Sequence, residues 1–382
     1  MRIAVPKESA PRELRVALVP ESCKKLVQAG YEVAIEREAG LAAGFPDGAY
    51  QDAGAVIESD LRGLLQSAGL VLRVNPPQID RPDEISAMRQ GTILLGSLMP
   101  LRNLAVVRSL AAARITAFST DAMPRTTRAQ SMDTLSSMAN IAGYKGALMA
   151  ALELPKYFPM LMTAAGMVRP ARVFVIGAAV AGLQAIATAR RLGATVSATD
   201  VRPEVKEQIE SVGGKYVGIE LKESAAAGGG YAKELSEEDR RRQRELLAEQ
   251  CAQADAVITT ALIGGVFAPK LIGADIVKSM KPGSVIVDLA ADGGGNCELS
   301  RPGETVRVGG VTIVAPLNLA ASMPSDASLL FSRNLIAFVQ AFTVDKAFRL
   351  DPDDDIQQGA LITHDGAVTH ARTREALQKE SA

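Results

Sequence analysis

Apolar and polar positions alternate along this chain in two separate series. In the first third, short β-rich runs (Arg2 to Pro6, Tyr31 to Ile35, Leu70 to Val74, Thr92 to Leu98 and Ile115 to Phe118) are interleaved with helical patterns such as Glu21 to Ala29. A second series starts at Ala171 and continues through Thr195 to Thr199, Ala256 to Thr260, Ser284 to Leu289 and Val311 to Pro316. Strands alternating with helices predict βαβ units and parallel sheets. The expected fold is therefore α/β, with two Rossmann-like parallel-sheet domains. Two longer apolar-periodic stretches, about Asp133 to Leu154 and Asp326 to Phe342, follow the two series and predict helices bridging the domains. The first domain is expected to be discontinuous, residues 1–136 and 325–382, and the second to span 137–324. Ligands of open parallel sheets lie outside the carboxyl ends of the strands, so a cleft between the two is the expected site. The acidic run Asp351 to Asp355 and the polar tail beyond it read as a surface turn and a loosely held end.

The length agrees with two domains, since 382 residues exceed what a single hydrophobic core supports. Acidic side chains (43) and basic ones (42) nearly cancel, which leaves no field to draw the chain to nucleic acid or an anionic bilayer. The three cysteines, Cys23, Cys251 and Cys297, are far apart in no metal-ligand spacing; they read as free core thiols in a reducing compartment, and no metal site is expected. Charge at Lys7, Glu8, Arg12 and Glu13 leaves no apolar signal segment, so export is not expected. The most apolar long stretch, Ala147 to Val168, contains Glu153, Pro155 and Lys156 and reads as a helix followed by a loop, without direct membrane insertion.

The run Val173 to Ile176 leads into Gly177-Ala178-Ala179-Val180-Ala181-Gly182 and then into a helical pattern from Leu183 to Leu192. Strand, tight loop and helix in this order place unpaired N–H groups and the positive end of a helix dipole where a pyrophosphate binds. Gly177 supplies the tight turn and Gly182 the close helix–strand packing; the middle glycine of the usual GxGxxG pattern is here Ala179. Asp200, at the end of the next strand, is placed to accept bonds from both adenosine ribose hydroxyls and to repel a 2′-phosphate, which favours NAD. Arg202 suits a 2′-phosphate instead, so NADP stays open as the alternative.

Both histidines, His364 and His370, belong to the C-terminal tail, so nothing histidine-based is expected near the sheets. Oxidation of an alcohol or amine moves a proton as well as a hydride and needs a general base. Passage of a hydride between two nicotinamides needs none, only two C4 carbons held roughly 3 to 3.5 Å apart, aligned and dry. The lack of a core histidine favours that reaction, with Asp292 or Lys7 left as other bases. The polar segment Pro124 to Asp133 leads into the first bridging helix; Gln130, Asp133 and Ser136 are three apart and fall on one helical face, with Arg125 reaching in from the loop. A plain helix N-terminus capped by Ser131 or Asp133 is the competing reading. Ala225 to Tyr231 is small and flexible, and reads as a loop ahead of a helix capped at Ser236. Gly293 to Gly295, after a strand end, read as a tight turn or as part of the cleft.

The segments PRxxRAQSMDxLSS, GLQAIATARRLGA, GGYAKE, TTALI and IVDLAxxxGGNC, in this order, resemble the NAD(H)-binding first domain of proton-translocating transhydrogenases. The likeness runs from IAVPKE to the last bridging helix, and extends more loosely to alanine dehydrogenases through IAVPKE, Arg15 in RVALVPE, and the glycine loop. It implies that Arg125, Gln130, Asp133 and Ser136 hold the nicotinamide and its ribose, within a motif that includes Thr126, Thr127, Arg128, Ser131 and Met132. Gln130 would face NADP(H) bound to a partner subunit. It further implies Gly177, Ala178, Ala179, Val180 and Gly182 at the pyrophosphate, Asp200, Val201 and Arg202 at the adenosine, and Gln243 and Leu262 at other parts of NAD(H). Gly230 and Tyr231 would belong to a mobile loop that closes over the nucleotide. The implied partners are separate membrane-spanning and NADP-binding subunits, with a homodimer of this chain lying peripherally on the cytoplasmic face. The substrate-holding arginine and lysine of alanine dehydrogenases, and their histidine and aspartate, map by the same resemblance to Arg15, Arg73, Ser97 and Asp292. Serine at the histidine position argues against amino-acid oxidation.

Overall fold

The computed structural model describes residues 1–81, 83–219, 236–262 and 268–381. They form two compact units, Met1–Met138 with Ala320–Ala382, and Ala139–Leu319. The first unit opens with β1 (Arg2–Val5), β2 (Glu32–Glu36), β3 (Val56–Glu58), β4 (Leu70–Leu72), β5 (Ile93–Gly96) and β6 (Thr116–Ser119). All pairings among these six are parallel, with β1 between β2 and β4: Ile3 stands opposite both Val33 and Leu70. Both faces are covered. Ile3 and Val5 join one apolar cluster while Ala4, pointing the other way, joins a second. That is why these strands read as continuous apolar runs.

The helix Thr134–Glu153 is counted with the first unit in its opening turn and with the second thereafter. A hairpin follows, β7 (Leu161–Thr163) and β8 (Gly166–Val168), where the sequence pattern predicts only loop; its Met162 and Met167 are exposed, so no burial pattern marked it. The second unit is then built on β9 (Arg172–Ile176), β10 (Thr195–Thr199), β11 (Lys215–Tyr216), β12 (Ala256–Thr259), β13 (Val285–Asp288), β14 (Thr305–Val308) and β15 (Val311–Val314). Their order is β11-β10-β9-β12-β13-β15-β14, and the last pair alone is antiparallel. Val173 and Val175 face one cluster, Phe174 and Ile176 the other.

The chain completes its first unit with the helix Pro324–Phe342, a small ribbon of β16 (Thr343–Val344) and β17 (Ala347–Phe348), and then β18 (Leu361–His364) and β19 (Ala367–Val368). Here the expected loose end is corrected. Strand β18 pairs antiparallel with β6 and extends the first sheet to β19-β18-β6-β5-β4-β1-β2-β3. His364 is thus a sheet residue, with Nδ1 3.1 Å from the Thr116 hydroxyl. Within the acidic run, Asp354 accepts the N–H groups of Ile356 and Gln357 and caps the helix Asp355–Ala360. The run is a surface turn, as expected, that ends in this cap.

Candidate functional site

The strand–loop–helix read from the sequence is formed by β9, Gly177–Ala179 and the helix Val180–Arg191. Gly177 has φ +88°, a left-handed conformation that glycine adopts without strain. A Cβ on Gly182 would lie 1.9 Å from the Gly177 carbonyl oxygen, so the helix meets the loop backbone to backbone. Ala179 begins the helix with no side-chain cap, and its own side chain is exposed. The first N–H groups of this helix are therefore not taken by a capping side chain, which is the arrangement that suits an anion. The long helix packs on the same turn: a Cβ at Gly143 would sit 2.1 Å from the Ala181 carbonyl oxygen. Nothing in the helical pattern around Gly143 marked this approach, although a glycine inside a helix is itself a signal of close packing.

Asp200 follows β10 as expected, but its carboxylate is already engaged. Oδ2 accepts from the Ala178 N–H (2.8 Å) and Arg202 Nη2 (2.9 Å), and Oδ1 from Arg202 N (3.0 Å) and Nε (2.9 Å). Those four bonds fill the usual acceptor capacity of a carboxylate. Asp200 thus ties the glycine loop to the end of β10, and any further donor would have to share or displace Arg202. Val201 beside it is half-buried. Gln243 lies on the helix Glu237–Gln253, and Leu262 follows β12; both are half-buried. Gly230 and Tyr231 lie outside the described residues.

In the first unit, the polar turn before the long helix walls a cavity of about 290 Å³ lined by Arg125, Thr126, Thr127, Gln130, Asp133 and Ser136, with Thr120, Met123, Pro124, Ala129 and Leu135. Asp133 caps the helix: its Oδ1 accepts the Ser136 N–H (2.9 Å) and its Oδ2 the Ser136 hydroxyl (2.5 Å). The capping reading therefore holds for Asp133, which also stands in the polar wall of the cavity. Gln130 sits in the short 3-10 turn Gln130–Met132 rather than on the helix, so the three-residue spacing is not a helical stack. Three neighbours in the motif are placed elsewhere. Arg128 pairs with Asp354 and Asp355, Met132 is in the apolar core, and the Ser131 carbonyl accepts from Asn334 Nδ2.

Of the positions that map to the alanine dehydrogenases, Arg15 forms an ion pair with Glu13 at 2.7 Å. Arg73, 2% exposed, pairs with Glu84 at 2.5 Å. Burial raises the Glu8 carboxyl beside them above the usual carboxylate range; for Glu84 the pull of burial is outweighed by Arg73, Ser9 and the Gln78 N–H, which hold it low. Ser97 donates to Asp121 (3.2 Å), and Asp292 accepts the Asn318 N–H (3.1 Å). Ser97 offers no group that titrates near neutrality. Among the described residues no helix is long and apolar enough to cross a membrane.

Comparison with known proteins agrees with this arrangement. The chain matches the family models for the alanine dehydrogenase/PNT N-terminal domain over residues 4–142 and the C-terminal domain over residues 146–371. It is 47% identical over 377 residues to an NAD(P) transhydrogenase subunit alpha chain of Rhodospirillum rubrum, covering 97% of this chain and 98% of that one. An alanine dehydrogenase of Halomonas elongata is 32% identical over 390 residues, covering 100% of this chain and 98% of the other. The crystal structure of the transhydrogenase from Sinorhizobium meliloti superposes with a TM-score of 0.87 at 44% identity, over 96% of this chain and 100% of that one. With both halves matched and the greater identity falling to transhydrogenases, this chain belongs to the alanine dehydrogenase/PNT family, on the side of the NAD(P) transhydrogenase alpha subunits.

Proposed function

We propose that this chain is the NAD(H)-binding component of a proton-translocating transhydrogenase, working with separate membrane-spanning and NADP-binding subunits. When bound, NADH supplies the hydride that passes to NADP⁺ on the partner. The chain's own residues do the holding. The uncapped helix turn after Gly177 takes the pyrophosphate, and the absence of side chains at Gly177 and Gly182 lets the helix and the loop close on each other so that this turn is presented at the end of β9. Asp200 and Arg202 take the adenosine. Arg125, Gln130, Asp133 and Ser136 orient the nicotinamide and its ribose. Gln130 is suited to face a second nucleotide because an amide both donates and accepts without titrating.

The observation that carries this reading is the polar cavity wall of Arg125, Gln130, Asp133 and Ser136, which has hydrogen-bonding groups for positioning, no histidine or lysine, and a single carboxylate, Asp133, with both oxygens engaged by Ser136. Mixing the chain with a transhydrogenase NADP-binding domain should give rapid hydride exchange between NADH and an NADP analogue, with little exchange by either component alone. Pyruvate- and ammonia-dependent NADH oxidation by the isolated chain would instead make it an amino-acid dehydrogenase. NADH binding without exchange in the mixture would make it a sensor.

A further inference from the structure

The turn after β13 holds a polar node that no expected site residue belongs to. Asp288, fully buried at the end of that strand, accepts five hydrogen bonds. Three reach Oδ1, from the Thr259 hydroxyl (2.9 Å), Ala290 N (3.2 Å) and Asn296 N (3.1 Å); two reach Oδ2, from Cys297 N (3.0 Å) and the Ser300 hydroxyl (2.6 Å). A buried carboxylate satisfied by so many donors is rigid. What it fixes is the turn carrying Asn296, also fully buried.

The Asn296 side chain pairs with both backbone groups of one residue, Ala261, two positions after β12. Its Oδ1 accepts the Ala261 N–H (2.9 Å), and its Nδ2 donates to the Ala261 carbonyl (2.8 Å) and to the Pro269 carbonyl (2.9 Å). Ala261 and its neighbour Thr260 back the phosphate loop. The Thr260 hydroxyl donates to the Gly177 carbonyl (3.0 Å), and a Cβ on Gly177 would meet Thr260 Oγ1 at 2.8 Å and Ala261 N at 3.2 Å. A continuous set of bonds thus runs from Asp288 through Asn296 and Ala261–Thr260 to the first glycine of the loop.

We infer that Asn296 is a positioning residue for the dinucleotide: held by Asp288, it fixes Thr260–Leu262 against Gly177 and so sets the geometry in which the pyrophosphate is bound. The inference rests on the NAD(H)-binding reading above. Only an amide completes the set, because Ala261 needs both an acceptor and a donor, and a second donor is needed at Pro269. Aspartate of the same shape keeps the acceptor but turns an oxygen toward two carbonyls, until protonation returns one donor.

The test is NADH affinity by fluorescence titration of the full chain, with thermal melting measured alongside. Asn296→Ala should weaken NADH binding roughly tenfold or more while the protein stays folded. Asn296→Asp should be weak at alkaline pH and recover several-fold as the pH is lowered toward about 5.5, while the parent chain changes little over that range. Thr260→Val removes only the hydroxyl bond to Gly177 and should weaken binding severalfold; it decides the matter if Asn296→Ala does not fold. Unchanged NADH affinity in the folded variants, or a loss in Asn296→Asp that acid does not relieve, would reduce Asn296 to a structural residue. Failure of the parent chain to bind NADH would refute the nucleotide reading itself.

Discussion

At the scale of single residues, the polar turn shows one side chain doing two things. Asp133 closes the helix N-terminus through the Ser136 N–H and hydroxyl, and by doing so stands rigidly in the cavity wall next to Gln130. Gln130 takes no part in this cap and lines the same cavity, where the proposed function has its amide meet the nucleotide. Shortening it tests the positioning role. Gln130→Asn should lower hydride exchange with the partner domain at least about tenfold, with NADH affinity changed less than about twofold, since misplacement of the reacting ring costs rate more than binding. Equal losses in both would show that the amide merely binds. The same turn also shows where a motif misleads: Arg128 and Met132 stand in one short stretch, yet one is an ion-pair partner of Asp354 and Asp355 and the other a core side chain. Spacing in the chain does not say which way a turn residue points.

At the scale of elements, the glycine loop depends on contact between backbones. The 1.9 Å that would separate a Gly182 Cβ from the Gly177 carbonyl oxygen is far inside any tolerable distance, and the obstacle is main chain, which cannot rotate away. Gly182→Ala should therefore push the helix Val180–Arg191 off β9, lowering the melting temperature and weakening NADH binding by more than tenfold; overpacking of this kind costs roughly 1–3 kcal/mol. A variant with parental melting and affinity would show that the loop is looser than this packing indicates. Both glycines were readable from the sequence because their spacing falls between a strand and a helix. The approach of the long helix at Gly143 was not, because it depends on a distant residue of another element, Ala181.

For the molecule as a whole, stability within the second unit is linked to pH through Asp255. This carboxylate, 8% exposed, accepts from Lys156 Nζ (2.8 Å), the Arg172 N–H (2.8 Å) and Lys281 Nζ (3.1 Å), and so joins three distant segments. Burial on its own would raise its pKa, but the Lys156 ammonium, the Arg172 N–H and Lys281 together outweigh that and hold it below the ordinary aspartate value. The folded state therefore binds its proton later than the unfolded chain on acidification. The stabilisation is fully present above the unfolded value of about 3.9 and is lost as pH falls through the lower folded value. Asp255→Asn should cost about 1–2 kcal/mol at pH 7, and the difference from the parent should shrink below about pH 4, as followed by denaturant melts. A pH-independent difference would mean that packing rather than charge is lost.

Chain order alone specifies the two series of buried parallel strands, the glycine loop after β9 and the polar turn before the long helix. Each is signalled by residues adjacent in the chain: apolar runs buried on both faces, glycines at a strand end, a polar cluster before an apolar helix. Contacts in the folded molecule assign the rest. Strand β18 is four residues in a polar tail and becomes a strand because β6 offers an edge to pair with. Asp200 was legible as the acid after β10, but not that Arg202 fills it. Asn296 was visible only as part of GGN, since its partner is Ala261, 35 residues earlier. Edge pairing, shared carboxylates and buried amides are satisfied by partners that chain order does not bring together, so only the folded backbone could assign them.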